Sequence, residues 1–332
     1  MAALLERRRA AQHEFHSMRA LIVTNMYPTR ERPELGVFVR DQLEALCRID
    51  GVDAQLFAFE PGGKLGYLRA VKRLRRHLAT HRYDIVHAHY GLTGWVARRA
   101  KARPLVVTYH GTDLRHEKVG PWSRRLAKRV DQAAVVSAEL GAELDGVKLK
   151  RPLAVLPCGV NLQRARRIER GRARRALGLD PEGSYVLFPA DPGRPEKRHD
   201  RAVVLLKEFP DVALLTLGGV EPDAVATYMN AADAVLIPSE YEGFGLAVLE
   251  ALACDVPVIA TPTGIAPEAL AGVHGTYCME FDLGRWRGAL AEILADPDPR
   301  IDGRERASGY SSDAMAARVV TTYERLIDRS DA

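Results

Sequence analysis

Aromatic residues are scarce, at 7% of 332 positions. They are not interleaved with the basic residues as the stacking platforms of a nucleic-acid groove would be, and no recognition motif accompanies them, so no nucleic-acid partner is expected. The four cysteines, Cys47, Cys158, Cys254 and Cys278, form no CxxC pair, which leaves zinc and dithiol redox sites without support. No apolar run approaches the roughly 20 residues that cross a bilayer. The first stretch, Met1–Ser17, is charged and lacks the apolar centre of a signal peptide. With its Arg7-Arg8-Arg9 run it reads as a solvated, flexible extension. Scattered thiols without an export signal point to a reducing cytoplasm.

What is present is a globular composition, 47% hydrophobic and 27% charged, long enough for two ordinary cores. The net charge of +5 is unevenly spread. Residues 1–165 hold 29 Lys and Arg against 16 Asp and Glu, whereas residues 166–332 hold 19 against 27. A basic half suggests an anionic partner, such as a membrane surface or a phosphorylated substrate.

Short apolar runs alternate with helical patterns in two series. The first has strands at Ala20–Thr24, Val52–Phe59, Ile85–Ala88, Leu105–Tyr109, Gln132–Ser137 and Leu153–Pro157. Between them lie helical stretches at Val37–Cys47, Leu65–Thr80, Gly94–Lys101 and Ser123–Arg129. The Arg-rich stretch that follows places a linker at 166–182. The alternation restarts with strands at Tyr185–Phe188, Val212–Leu217, Ala234–Pro238 and Val256–Thr261. Helices are expected at Asp200–Glu208, Asp223–Ala231, Leu246–Ala253 and Trp286–Leu294, and a closing helix within 311–332. This predicts an α/β protein of two Rossmann-like, doubly wound parallel-sheet domains, 18–165 and 183–310, facing across a cleft that suits a ligand.

The densest functional signal is Pro238-Ser-Glu-Tyr-Glu-Gly-Phe-Gly-Leu-Ala-Val-Leu-Glu250, a strand, a loop with Gly243 and Gly245, and a helix. The glycines admit close backbone approach, and the helix start offers unpaired N–H groups to an anion such as a diphosphate. Glu242 and Glu250 suit hydroxyl groups of a ribose or a hexose, as hydrogen-bond acceptors. A dinucleotide site fits poorly: Val248 occupies the third glycine place, and no acid follows the next strand.

From Tyr228 to Glu268 the chain resembles the family-4 retaining glycosyltransferases of GT-B fold, the group 1 glycosyl transferases. Their two glutamates with seven residues between them are met by Glu242 and Glu250. The resemblance implies that Glu250 binds the nucleotide ribose. It also implies that Glu242, with the backbone of Gly243, Phe244, Gly245 and Leu246, holds the transferred sugar and the diphosphate. Phe188-Pro-Ala-Asp-Pro-Gly-Arg-Pro-Glu-Lys197-Arg resembles the family loop whose cations neutralise the leaving diphosphate, with Lys197 the better match and Arg194 the next. Gly36 matches a loop facing the diphosphate, and Gly219 joins the donor-side set. His110, in Val107-Thr-Tyr-His-Gly-Thr-Asp113, matches a histidine that contacts the donor sugar. The catalytic candidates are therefore His110, Glu242, Lys197 and Arg194. Asp113, His89 and Tyr90 are candidates for the acceptor side.

A metal reading of His87 and His89 lacks a third ligand, and Asp296-Pro-Asp298 reads as a proline-rich turn. The expected activity is metal-free hexosyl transfer with retention, from a nucleoside diphosphate sugar, UDP favoured over GDP, with no cofactor. The acceptor would be a glycan, a lipid-linked molecule or a small molecule. The basic helix at Leu65–Leu78 could meet the anionic inner face of a membrane. The alternatives are a nucleotide-sugar epimerase of the same fold, or a non-enzymatic protein that binds anions or nucleic acid.

Overall fold

The computed structural model describes residues 17–328. The extension expected at Met1–Ser17, apart from Ser17, lies outside the described residues. The first domain is built on a parallel sheet of order β2-β1-β3-β4-β5-β6. Its strands are β1 (Met18–Thr24), β2 (Val52–Ala58), β3 (Ile85–His89), β4 (Leu105–Tyr109), β5 (Gln132–Val135) and β6 (Ala154–Val155). Helices α1 (Val37–Leu46), α2 (Gly63–Thr80), α3 (Gly91–Arg99), α4 (Thr112–Arg115), α5 (Gly120–Ala127) and α6 (Ala138–Gly141) connect them. The second domain repeats the plan with β7 (Ser184–Phe188), β8 (Val212–Thr216), β9 (Ala234–Ile237), β10 (Val258–Ala260) and β11 (Tyr277–Cys278), in the order β11-β10-β9-β7-β8. Its helices are α7 (Arg170–Ala176), α8 (His199–Leu206), α9 (Val225–Ala231), α10 (Leu246–Ala253), α11 (Ala266–Leu270), α12 (Leu283–Leu294) and α13 (Arg304–Ser308). A last helix, α14, covers Ser312–Ile327.

Both faces of each sheet are buried, which explains why the strands read as unbroken apolar runs. Successive side chains of β1 alternate between two cores. Ala20 and Ile22 face α1 and α14, and Leu21 and Val23 face the opposite core. In β9, Val235 and Ile237 join the core that also holds Leu21, while Ala234 and Leu236 pack with Trp286 of α12.

Two segments differ from their expected roles. The stretch 166–182 is not a bare linker, because it contains α7, which packs on α9. There Arg174, 3% exposed, donates to Asp233 at 2.8 Å and to the carbonyls of Ala231 and Pro181. Asp233 in turn accepts from the Tyr185 backbone N–H at the start of β7. The last helix closes the first domain. Met315, Ala316, Val319, Tyr323 and Leu326 pack on Ala20, Ile22 and Ile85. The chain therefore crosses between domains twice, and the crossings are tied together. Val160 N donates to Tyr310 O at 2.8 Å, and Ser312 N to Val160 O at 2.9 Å.

The loops at the strand ends of the two domains meet. Ser137 Oγ donates to the Gly243 carbonyl at 3.0 Å, and Gly264 N donates to Glu139 Oε2 at 2.7 Å. Among the described residues no helix is long and apolar enough to cross a membrane.

Candidate active site

The second-domain wall is made by the loop after β9. Gly245 takes a left-handed φ of 87°, which turns the chain into α10. Among the described residues no side chain caps that helix, so the N–H groups of Leu246 and Ala247 are left for an anion. Gly243 lies against the first domain so closely that a Cβ there would stand 1.8 Å from the His110 carbonyl. Phe244 is 6% exposed and buries its ring in the core, and its carbonyl accepts from the Ile265 N–H at 2.7 Å.

Glu242 and Lys197 come together although 45 residues separate them. Lys197 Nζ donates to both carboxylate oxygens, at 2.7 and 2.6 Å. Ser239 Oγ adds a donor to Oε1 at 2.8 Å, and its own backbone carbonyl accepts from Thr261 at 2.6 Å. An ammonium group has three donors, so the third N–H of Lys197, which has no partner among the described residues, is open to a phosphate oxygen. Arg194, by contrast, is turned outward. Its side chain is 54% exposed and its guanidinium is paired with Glu196 at 2.6 Å. The structure thus brings Lys197, and not Arg194, to Glu242. Gly219, in the turn after β8, also has a left-handed φ, of 72°, and open space beside it.

Glu250 lies a little over one turn into α10, with Asn161, Arg164, Pro222, Ala226 and Met229 lining the small cavity beside it. Burial pushes its carboxyl up to about 7, against the opposing pull of Arg164. Arg164 is itself held by Asp41 of α1, with Nη1 at 3.0 Å and Nη2 at 2.5 Å. Glu250 is therefore a carboxyl poised between its two charge states, beside a cation contributed by the inter-domain crossing.

The first-domain wall is neutral. Gly36 caps α1 and stands against the Met26 carbonyl. His110 lies at the end of β4, with Phe38 of α1 packed on its ring at 4.7 Å. Its Nε2 is 3.0 Å from His89 Nδ1, and His89 Nε2 is 3.1 Å from Gln42 Nε2. Burial holds all three histidines of this cluster below the usual range: His87 and His110 well below it, His89 at about 3.

Two of the acceptor-side candidates stand behind this wall rather than on it. His89 is 1% exposed and Asp113 0%. Asp113 accepts from the backbone N–H groups of His110 and Gly111 through Oδ1 and of Gly91 through Oδ2. It therefore braces the His110 turn and the start of α3. Burial raises its carboxyl to about 6, with the three backbone donors pulling the other way. Tyr90 remains half-buried at the end of β3 with an unusual φ of 82°, and burial raises its phenol to about 12. Asp296 accepts from the Asp298 N–H at 2.9 Å in a tight turn.

Sequence reasoning missed Asp41, Gln42, Ser239, Arg164 and Tyr323. The signal for the first two was legible. Asp41 and Gln42 occur on the same buried helical face as Val39, Ala45 and Leu46, where a polar residue needs a partner.

Two facing parallel-sheet domains are the GT-B glycosyltransferase architecture, and known proteins agree. The Glycosyltransferase Family 4 model matches residues 10–164, and the Glycosyl transferases group 1 model matches residues 194–310. A D-inositol 3-phosphate glycosyltransferase from Mycobacterium leprae is 30% identical over 88% of this chain and 79% of its own length. One from Mycobacterium sp. (strain KMS) is 32% identical over 92% and 79%. The chain belongs to the group 1 glycosyltransferases. Among solved structures, a sucrose-phosphate synthase from Thermosynechococcus elongatus superposes with a TM-score of 0.79 at 21% identity, over 94% of this chain and 99% of its own. The Anabaena protein HepE, in complex with UDP and glucose, gives a TM-score of 0.71 at 19% identity, over 93% and 100%.

Proposed function

We propose that this glycosyltransferase moves a hexose, with retention of anomeric configuration and without a metal, from a nucleoside diphosphate sugar to a phosphate-bearing acceptor. The carrying observation is the Lys197–Glu242 pair beside the uncapped start of α10. As the anomeric carbon–oxygen bond breaks, negative charge accumulates on the leaving diphosphate. The free N–H of Lys197 and the helix start stabilise it in place of a divalent cation. Glu242 anchors Lys197 and, with Ser239, keeps the ammonium group oriented. Glu250 accepts from the ribose diol, and His110 holds the sugar from the opposite wall. The carboxylate beside His110, Asp113, is buried and spends both oxygens on backbone N–H groups, so the reading is a front-side displacement in which the leaving phosphate takes the acceptor's proton.

A UDP donor is favoured by the likeness to HepE, solved with UDP-glucose at a TM-score of 0.71. A phosphorylated acceptor is favoured by the names of the mycobacterial relatives and by the positive charge of residues 1–165. A lipid-linked form of that acceptor suits α2, where Leu65 and Leu68 are 65% and 55% exposed among exposed Lys64, Arg69, Lys72, Arg73, Arg75 and Arg76. Each basic residue near an anionic leaflet contributes about 1 kcal/mol.

The test is calorimetric titration with UDP-, GDP- and ADP-sugars, followed by NMR of the product anomer. Tight binding of one donor and a product of unchanged anomeric configuration are expected. Inverted product, or absence of binding to every nucleotide sugar, overturns the reading. Co-sedimentation with vesicles containing anionic lipid tests α2: Leu65→Ser/Leu68→Ser is expected to reduce binding and leave donor affinity intact.

A further inference from the structure

The neutral wall contains a chain of hydrogen bonds that begins far from the cleft. Tyr323, on α14, is completely buried, and its hydroxyl lies 2.7 Å from His87 Nδ1. His87 Nε2 lies 2.7 Å from Thr108 Oγ1. Gln42 Nε2 is 3.5 Å from His87 Nδ1 and 3.1 Å from His89 Nε2. His89 Nδ1 is 3.0 Å from His110 Nε2. Ring nitrogens and carboxamide atoms can each be placed with two proton arrangements, so the direction of the chain must be fixed by a group with one choice.

We propose that Tyr323 is that group, and that through His87, Gln42 and His89 it fixes the proton of His110 on Nδ1, so that His110 meets the cleft as a hydrogen-bond donor. Burial keeps the phenol protonated. Among the described residues His87 Nδ1 is its one partner, so the phenol proton goes there or is orphaned at a buried site. His87 Nδ1 is then a bare acceptor, and His87 carries its proton on Nε2, which donates to Thr108. The Thr108 hydroxyl proton then has no partner among the described residues, a smaller loss than an orphaned phenol proton because an aliphatic hydroxyl is the less acidic and weaker donor and can rotate. A carbonyl oxygen of Gln42 facing that bare nitrogen would set two lone pairs together, so the amide nitrogen faces inward. Its N–H donates to His89 Nε2. A neutral His89 so engaged carries its proton on Nδ1 and donates to His110 Nε2. A neutral His110 then carries its proton on Nδ1, where no partner among the described residues accepts it. The burial that lowers all three histidines keeps each ring neutral, as the chain requires.

The consequence for the reaction rests on the function proposed above. His110 donates to an oxygen of the donor sugar and is closed as a proton acceptor on its inner nitrogen. Tyr323, Gln42 and His89 are positioning residues, acting through His110.

The test uses the full chain labelled with ¹⁵N-histidine. The His110 signals are assigned with His110→Asn, and their shifts distinguish protonated from bare ring nitrogens. Wild type is expected to show His110 protonated on Nδ1. Tyr323→Phe, which deletes the hydroxyl at constant shape, is expected to mix the two His110 tautomers. It should lower kcat several-fold while leaving acceptor KM within twofold. If Tyr323→Phe fails to fold, Gln42→Met reads the same link. Protonation of His110 on Nε2 in wild type, or an unaltered tautomer in both folded variants, overturns the proposal. The tautomer measurement needs no substrate. A protein with the expected tautomer and no sugar transfer therefore counts against the proposed function alone, and an active transferase with the opposite tautomer counts against the relay alone.

Discussion

The two walls of the cleft are built on opposite electrical plans. The second-domain wall concentrates charge: an ammonium group clasped by a carboxylate, an uncapped helix start, and a second carboxyl beside a guanidinium. The first-domain wall is stripped of charge, with three histidines kept neutral by burial. The contrast matches the two ends of an activated sugar. The diphosphate end needs counter-charge that grows in value as the bond breaks, whereas the sugar end needs directional hydrogen bonds that do not compete for the leaving group.

Removing the charge should therefore cost most. Lys197→Ala is expected to lower kcat by about 10²–10³-fold, the range for one preorganised stabiliser of developing charge. It should also cost about 3–5 kcal/mol of stability, because Glu242 is left buried and unpaired. The double variant Lys197→Met/Glu242→Gln should recover most of that stability and none of the rate. Thermal melts alongside initial rates separate the two. Recovery of rate in the double variant would dissolve the distinction between the walls.

Next in size is the acid response of the neutral wall. A histidine held below its unfolded value of about 6.5 leaves the unfolded chain binding more protons, so stability falls as pH drops below about 6.5. Each such group contributes about 1.4 kcal/mol per pH unit until its folded value is reached. The share of the three histidines in the unfolding free energy from urea titration should therefore fall by several kcal/mol between pH 7.5 and 5.5, and His87→Gln should reduce that fall.

Glu250 predicts the opposite sign. Its carboxyl is raised to about 7, so the folded state keeps a proton that the unfolded chain loses above about 4.5. Its contribution falls as pH rises from about 4.5 to 7, by at most about 3.5 kcal/mol at ~1.4 kcal/mol per unit. Glu250→Gln should abolish that slope and weaken nucleotide binding at pH 8. Wild-type nucleotide affinity should climb as pH passes through 7, because a diol donates better to the ionised carboxylate. A flat affinity profile would remove Glu250 from the charged wall.

The smallest effects are expected from EDTA, which should leave the initial rate unchanged, and from Arg194→Ala, which should stay within threefold of wild type because that guanidinium already pairs with Glu196.

Much of this architecture was legible in residue order. The helix Leu246–Ala253 and the strand Leu105–Tyr109 fall where their patterns place them, because buried parallel strands and the helices that cover them carry strong apolar signals. The helix Arg170–Ala176 escaped notice because its buried residues are a small alanine, Ala173, and an arginine, Arg174, whose place is set by Asp233, 59 residues away in sequence. The strand expected at Leu153–Pro157 shortens to Ala154–Val155, at the edge of its sheet where a single neighbour holds it. In the site, Glu242, Lys197 and His110 could each be picked out. That Lys197 clasps Glu242, that Arg194 turns away and that Asp113 serves backbone N–H groups are tertiary facts which spacing along the chain does not encode.

The paired crossings between the domains carry a further consequence. Because Val160 and Ser311–Ser312 run side by side, bonded to one another, the halves are joined by a ribbon and not by a thread. A thread lets its ends swivel freely. A ribbon bends about one axis, so the walls of the cleft can part and meet again without losing their alignment. Because α14 returns across the second crossing to cover the first sheet, a fragment that ends at the first crossing lacks that cover, so the first half is not a separable module.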